Sequence, residues 1–251
     1  MNKDDRSILR HWEELSKLDM DQSIIDPLDS RGLKNKYLAE YRDKLFLEVL
    51  CPVKGKSVVM DFGCGTGSAS ANLLAAGFSV VGVDISSSLL SQAKSRCNST
   101  NAIFVRIDGK TLPVATRSLD AVVSYGVLIY VVDSSTLVHI LKQIRRSLKL
   151  GASIVMIEQV AKKGKLVESG LKRLRTLEEW IQSAKDAGFS VESCEVVRYG
   201  RFPLTMLVRY GLLPKRFWGV ARNLEKLVAK KLGVLPAGYS DVRIVATNPF
   251  V

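Results

Sequence analysis

Sulfur and imidazole are scarce in this chain. Its 251 residues include four cysteines, Cys51, Cys64, Cys97 and Cys194, with no CxxC spacing among them. That excludes a disulfide scaffold and a zinc cage, and points to a reduced, cytoplasmic setting. Two histidines, His11 and His139, are too few for a multi-histidine metal site, and no metal is expected. No run approaches the roughly 18 consecutive apolar residues of a spanning helix. The opening MNKDDRSILRHWEEL is charged and amphipathic, without the apolar stretch of a secretory signal. Hydrophobic residues at 47% and charged residues at 25% exclude a disordered or fibrous chain.

Acidic charge is also in deficit. The net charge is +12, and its distribution is uneven. Lys and Arg number 9 against 11 Asp and Glu in residues 1–50, 11 against 5 in 51–150, and 17 against 9 in 151–251. Such a balance speaks to partners rather than fold. An anionic substrate, nucleic acid and a membrane surface all remain open on this ground.

Two helices with a turn between them are expected in residues 1–52, read as an N-terminal helical cap. Trp12, Leu15 and Leu18 recur at helical spacing, Pro27, Asp29 and Gly32 mark the turn, and Leu38, Tyr41, Leu45 and Val49 define a second helix ended by Pro52. From there strands and helices alternate. SVVMDFG, SVVGVDIS, AIFVRID, SLDAVVSYG and ASIVMIEQV read as five strands, with helices between most of them and Gly151 as the C-cap of the helix before the fifth. TLEEWIQSAKDAGF carries a capping-box start at Thr176 and Glu179. SVESCEVVRYG and DVRIVATNPF complete the strands, and a basic helical insertion occupies 201–235. Alternation of this kind implies an α/β fold, a Rossmann-like, seven-stranded, mostly parallel sheet with helices on both faces, filling residues 53–251.

The strongest chemical signal is VVMDFGCGTGSASANLL. Asp61 closes a strand, and Gly63, Gly65 and Gly67 lead into a helix whose first amides are unpaired. In open α/β sheets ligands bind outside the carboxyl ends of the strands. NAD and flavin domains use a similar turn, but their GxGxxG fingerprint would require glycine where Ser68 stands. Asp84 ends the second strand, where a carboxylate suits a ribose diol. Asp108 follows the third and can accept from an adenine amino group.

With these motifs the chain resembles the class I S-adenosylmethionine-dependent methyltransferases, over residues 56–160 most clearly. DFGCGTG, VVGVDIS and RIDGKTLPVATRSLDAVVSYGVLIYV match successive family regions, and IRRSLKLGASIVMIE departs from the family pattern at Ala152. The resemblance implies S-adenosyl-L-methionine as cofactor, with S-adenosyl-L-homocysteine as product. Asp61, Gly63, Cys64, Gly65 and Gly67 would border its amino-acid end and Asp84 its ribose. Ile85 would pack on the adenine, with Asp108 and Gly109 bordering the base, and Ser124 and Tyr125 would lie near the methyl group. DPLDSRGLKNKYLAEYR is similar to a segment of small-molecule and glycan methyltransferases, which implies that Lys34, Tyr37 and Arg42 close over the cofactor.

The implied reaction is O- or N-methylation of a small molecule or glycan. Tyr130 stands where many relatives have histidine, to orient an acceptor or, with a lowered pKa, accept a proton. Glu158 is expected on the same rim. Packed or surface roles are expected for both histidines. The absence of Asn/Asp-Pro-Pro-Tyr/Phe after the fourth strand disfavours DNA amino-methylation, and the absence of Pro-Cys disfavours cytosine C5 chemistry. An NAD(P)-dependent oxidoreductase, a lipid-linked or RNA acceptor, and a non-catalytic cofactor-binding module stay open. Between Arg201 and Lys231 eight basic residues face one acid, Glu225, with apolar residues interleaved. This segment reads as packed helices with a solvated basic face, as a contact for an anionic membrane or lipid-linked substrate, or as a clamp for an anionic substrate.

Overall fold

The protein's structure, a computed structural model, describes residues 3–18, 26–50, 57–200, 202–236 and 238–250, with side chains from Ser7 onward. Pro52 and the boundary expected beside it lie outside the described residues, as does Cys51.

Helix α1 (Lys3–Leu15) precedes α2 (Leu33–Leu50). Then follow β1 (Val58–Phe62), α3 (Ser68–Ala75), β2 (Ser79–Asp84), α4 (Ser87–Arg96), β3 (Ala102–Arg106) and β4 (Leu119–Tyr125). The second half holds α5 (Ser134–Ser147), β5 (Leu148–Val160), a short hairpin β6 (Lys165–Val167) and β7 (Lys172–Leu174), α6 (Leu177–Asp186) and β8 (Ser190–Tyr199). It ends with α7 (Pro203–Arg209), α8 (Trp218–Leu232) and β9 (Ser240–Thr247). The sheet runs β3-β2-β1-β4-β5-β9-β8. The first five strands are parallel, and β9 is antiparallel to both neighbours.

Alternation along the strands sorts side chains to two faces. Val59, Val123, Val155 and Val245 pack with Tyr41, Leu45 and Phe46 of α2 and Leu73 of α3. Met60, Val122, Met156 and Ile244 pack with Ile140 and Ile144 of α5 and Trp180 of α6. The second helix is therefore part of the sheet's cover, and of the expected N-terminal cap only α1 stands apart from it. The order reverses direction between β1 and β4, and that switch point opens a crevice at the strand ends.

The cap expected at Gly151 is not where the helix ends. Leu148 already pairs with Leu119, and the ladder resumes at Ala121 and Ser153 after a bulge. Gly151 sits in that bulge with φ +74°, and a Cβ there would meet the Phe250 ring at 2.6 Å. The amphipathic run read as one helix thus turns directly into strand. The hairpin over residues 165–174 is a further element that the sequence reading left unassigned.

The insertion packs on β8 and α2. Arg198, on β8, donates to Asp241 of β9 and lies 3.8 Å from Glu225 of α8. Glu225 is wholly buried and accepts from the Tyr199 amide at 3.1 Å. Arg222 and Lys226 pair with Glu40 and Glu48 of α2. A buried cation shared by two buried carboxylates is costly to remove. Arg198→Met leaves both acids without their partner, and unfolding in urea should show a loss of about 3–5 kcal/mol. An unchanged midpoint would mean that the insertion is held by its apolar contacts alone.

Candidate active site

The glycine loop is shaped by backbone bonds. The Gly63 and Cys64 amides both donate to the Val83 carbonyl, at 2.8 and 3.0 Å, and Gly67 donates to Cys64 at 2.9 Å. Gly63 has φ +73°, and a Cβ there would overlap the Val127 side chain. The Gly65 amide donates to Asp84 Oδ2 at 2.9 Å, and Ser86 donates to Oδ1 at 2.9 Å. Asp84 is thus tied to the loop while still bordering the cleft. Each of its oxygens retains a lone pair for a further donor. Burial pushes its carboxyl up from the usual range, against the lowering by these amides.

Asp61 lies at the end of β1, 4% exposed, and accepts from Ser70 Oγ at 2.7 Å. Burial pushes its carboxyl up to about 6. Arg42 donates to Asp43 and to Ser68 Oγ, and its guanidinium lies 5.7 Å from the centre of the Tyr125 ring. Ser68, which replaces the third glycine of a dinucleotide fingerprint, therefore serves as the partner of an arginine at the cleft. Asp108 accepts the Lys110 and Thr111 amides on Oδ1, which hold its carboxyl below the ordinary value.

These residues open onto one cleft of about 1210 Å³. Of the expected cofactor residues, Asp61, Gly63, Cys64, Gly65, Asp84, Ile85, Asp108, Gly109, Tyr125 and Arg42 line it. Four others do not. Gly67 packs on Ala93 of α4, and Ser124 is fully buried within the sheet. Tyr37 is fully buried, 5.5 Å edge-on to Trp218 with Arg222 over its ring, because its face of α2 meets the insertion. Lys34 pairs with Asp26 at 2.7 Å. Neither Tyr37 nor Lys34 closes over the cleft. The Cys64 thiol is pushed far up by burial, as suits a packed residue without a base.

The other wall is made by α1, the turn after β4 and the hairpin. Tyr130 lines it, edge-on to Trp12 at 5.1 Å, with Lys172 Nζ 5.0 Å from its ring centre. Burial, with the charges of Glu168 and Glu158, raises its phenol pKa, opposite to the lowering expected for proton acceptance. His11 stands beside it, its rings 6.2 Å from Tyr130 and 5.3 Å from Trp12. Desolvation and the charge of Lys172 lower its pKa, which favours the neutral imidazole. His139 is exposed on α5, away from the cleft.

Glu158 does not reach the rim. It is 1% exposed and accepts the Val127, Leu128 and Ile129 amides at 3.2, 3.0 and 3.3 Å. Burial drives its carboxyl up to about 8. Its role is to position the turn that carries Val127 and Tyr130. Arg175, on the strand side of the hairpin, donates to the Val131 and Val132 carbonyls and holds the far end of that turn.

Sequence reasoning missed the closure of the cleft by α1. Glu13 accepts from Ser86 Oγ at 2.9 Å and from Ser88 Oγ, at the start of α4, and Gln92 donates to the Ser16 carbonyl at 2.7 Å. A glutamate among serines of a helix start is the only available signal, and it is 73 residues away in the chain.

Glu158→Leu removes the common acceptor of three amides. The loss of stability should be about 1–3 kcal/mol for each amide that finds no water. Urea unfolding checks this, and an unchanged midpoint would contradict the positioning role.

Comparison with known proteins agrees with this geometry. The family model described as "Methyltransferase domain" matches residues 59–151. A demethylmenaquinone methyltransferase of Tropheryma whipplei (strain Twist) is 30% identical over 152 residues, which cover 59% of this chain and 60% of that protein. The chain therefore spans about three fifths of the length of that relative. Among solved structures, geranyl diphosphate C-methyltransferase of Streptomyces coelicolor A3(2) aligns with TM-score 0.67 and 16% identity, over 98% of this chain and 99% of that one. Phosphoethanolamine N-methyltransferase 2 of Haemonchus contortus aligns with TM-score 0.63 and 19% identity, over 88% of this chain and 58% of that one. Residues 59–151 thus carry a methyltransferase domain, the glycine loop and the strand-end acids lie within that matched segment, and the fold is one shared with these solved methyltransferases.

Proposed function

We propose that the protein transfers a methyl group from S-adenosylmethionine to a small, largely apolar acceptor held between α1, the turn after β4 and the hairpin. The observation that carries this reading is the pair of buried carboxylates, Asp61 and Asp84, at adjacent strand ends on one wall of the cleft, with the glycine loop between them. The residues fit the cofactor. Asp84 has acceptor capacity for a ribose diol, Asp61 suits an ammonium group, Arg42 a carboxylate, and Ile85 and Asp108 border space for a base. When bound, S-adenosylmethionine supplies a methyl group already activated on a sulfonium. The protein's work is then alignment and exclusion of water, and effective molarities of roughly 10⁵–10⁸ M are available from alignment alone.

The acceptor side supports an apolar compound. Ile8, Leu9, Trp12, Val131, Leu166 and Leu171 give it an apolar stretch, bordered by Ser7, Arg10, His11, Glu14, Asp133, Thr136, Glu168 and Ser169. Hydroxyls of a glycan would find partners only on that polar border, whereas an apolar compound is held by the aliphatic stretch and the Trp12 ring. The similarity to demethylmenaquinone and geranyl diphosphate methyltransferases is in keeping with that choice. His11 stands on this wall, and in its neutral form the imidazole would take a proton from a hydroxyl acceptor.

Three measurements test the reading. Asp84→Ala should weaken S-adenosylhomocysteine binding about tenfold or more in calorimetry, through lost charge-assisted bonds. A folded variant with wild-type affinity would sink the cofactor assignment. Release of S-adenosylhomocysteine should occur with apolar quinols or phenols in an acceptor panel and not with free sugars. The reverse preference would overturn the acceptor class. Finally, Asp61 must be ionised to balance a cationic ammonium group. Its pKa of about 6 means that it holds a proton below that pH and loses it above. Affinity for S-adenosylhomocysteine should therefore rise by up to about tenfold between about pH 5 and 7 and then level off. Asp61→Asn should abolish that step, and a step that persists belongs to another group.

A further inference from the structure

Helix α8 carries two apolar stripes, and the protein uses one. Trp218, Ala221, Glu225 and Ala229 are buried against β8 and α2. On the opposite side Val220, Leu224 and Leu227 recur at helical spacing and are 66%, 47% and 65% exposed. Leu212, Phe217 and Leu232, beside it in the chain, are exposed as well. A run of exposed large aliphatics on one helix face is unusual for a surface that meets only water.

The charge on this face has one sign. Arg216, Lys230 and Lys231 are exposed at the two ends of the stripe, as is Lys215, which lies 3.5 Å from Glu40. The one acid between residues 201 and 231 is Glu225, which is wholly buried on the other side. The nearby acids Glu40 and Glu48 on α2 are engaged by Arg222 and by Lys226 and Arg243. Among the described residues none of 202–235 lines the cleft, so this part of the insertion is not a lid over the site described above.

We propose that this face of α8 docks on the surface of an anionic lipid bilayer, its leucines entering the headgroup boundary and its lysines meeting lipid phosphates. The pattern of an aliphatic centre between cationic ends is what such a surface recognises. A second copy of the chain fits less well. A two-fold contact would lay the patch on itself and bring lysines against lysines. Nucleic acid fits less well also. The centre is aliphatic, and the exposed aromatic Phe217 has the Arg216 guanidinium 4.9 Å from its ring centre. No helix among the described residues is long and apolar enough to cross a membrane, so contact through this face lies along the surface.

The test is cosedimentation of the full chain with vesicles of phosphatidylglycerol and phosphatidylcholine, against vesicles of phosphatidylcholine alone. Binding is expected to the anionic vesicles, and to weaken with salt as charges are screened over roughly 8–10 Å. The double variants Leu224→Glu/Leu227→Glu and Lys230→Glu/Lys231→Glu should each bind these vesicles at least about tenfold more weakly. Both should keep wild-type thermal unfolding and S-adenosylhomocysteine affinity, because the stripe is exposed and remote from the cleft. Absence of vesicle binding by the wild type, or equal binding by the variants, overturns the proposal. So does a wild-type dimer in sedimentation velocity that Leu224→Glu/Leu227→Glu dissociates, or RNA binding lost in the lysine variant with no vesicle binding. Failure of this test leaves the reading of the cleft untouched, since that rests on other residues and another ligand.

Discussion

The carboxylate of Asp84 is the tie on which the site depends. It closes β2, accepts the amide of Gly65 on one oxygen and that of Ser86 on the other. One group thereby fixes the glycine loop over the strand ends and sets the start of α4. Burial makes its charge expensive, and the two amides offset part of that cost. Asp61 repeats the arrangement at the neighbouring strand end, with Ser70 as its donor. Two carboxylates held this close to a low-dielectric wall create a negative patch in the cleft without any carboxylate reaching into solvent. The reading of the cofactor site follows from that patch and from the loop beside it.

The two walls of the cleft are built in different ways. The cofactor-side wall is sheet and loop, held by backbone bonds that mutation of surface residues does not touch. The acceptor-side wall is assembled from three pieces that are distant in the chain. Glu13 fastens α1 to the serines at the start of α4, Glu158 gathers three amides of the turn after β4, and Arg175 holds the carbonyls that follow. Each fastening is a charged or polar side chain satisfied by backbone or hydroxyl groups. The apolar lining is carried on these tied segments, so the proposed acceptor specificity depends on their fastenings rather than on the sheet and glycine loop.

The legible part of the sequence is the part governed by local rules. Strands of period two, helices of period 3.6, glycines at a tight turn and acids at strand ends act over a few residues, and they put Asp61, Asp84 and Asp108 at the strand ends, where all three border the cleft. The bulge at Gly151 was read as a helix cap because a positive-φ glycine after an amphipathic run serves either purpose; only its approach to Phe250 distinguishes them. Tyr37 and Arg42 lie on one helix, yet one meets the insertion and the other the cleft, a difference set by packing of α2 on both. Glu158 looks like a rim acid in the sequence because nothing local announces the three amides it accepts. The hairpin over 165–174 has three-residue strands and a charged composition, with no apolar period to find. His11 and Trp12 reach the cleft only because Glu13 docks across the fold.

One cleft, between the strand ends and α1, is the proposed seat of the cofactor. Hydrogen–deuterium exchange of the full chain with and without S-adenosylhomocysteine tests it most directly. Protection is expected in the loop 61–67, at 84–88, at 107–111 and in α1, with the exchange of α8 unchanged. Protection confined to α8 and the insertion, or none in the glycine loop at saturating ligand, would contradict it.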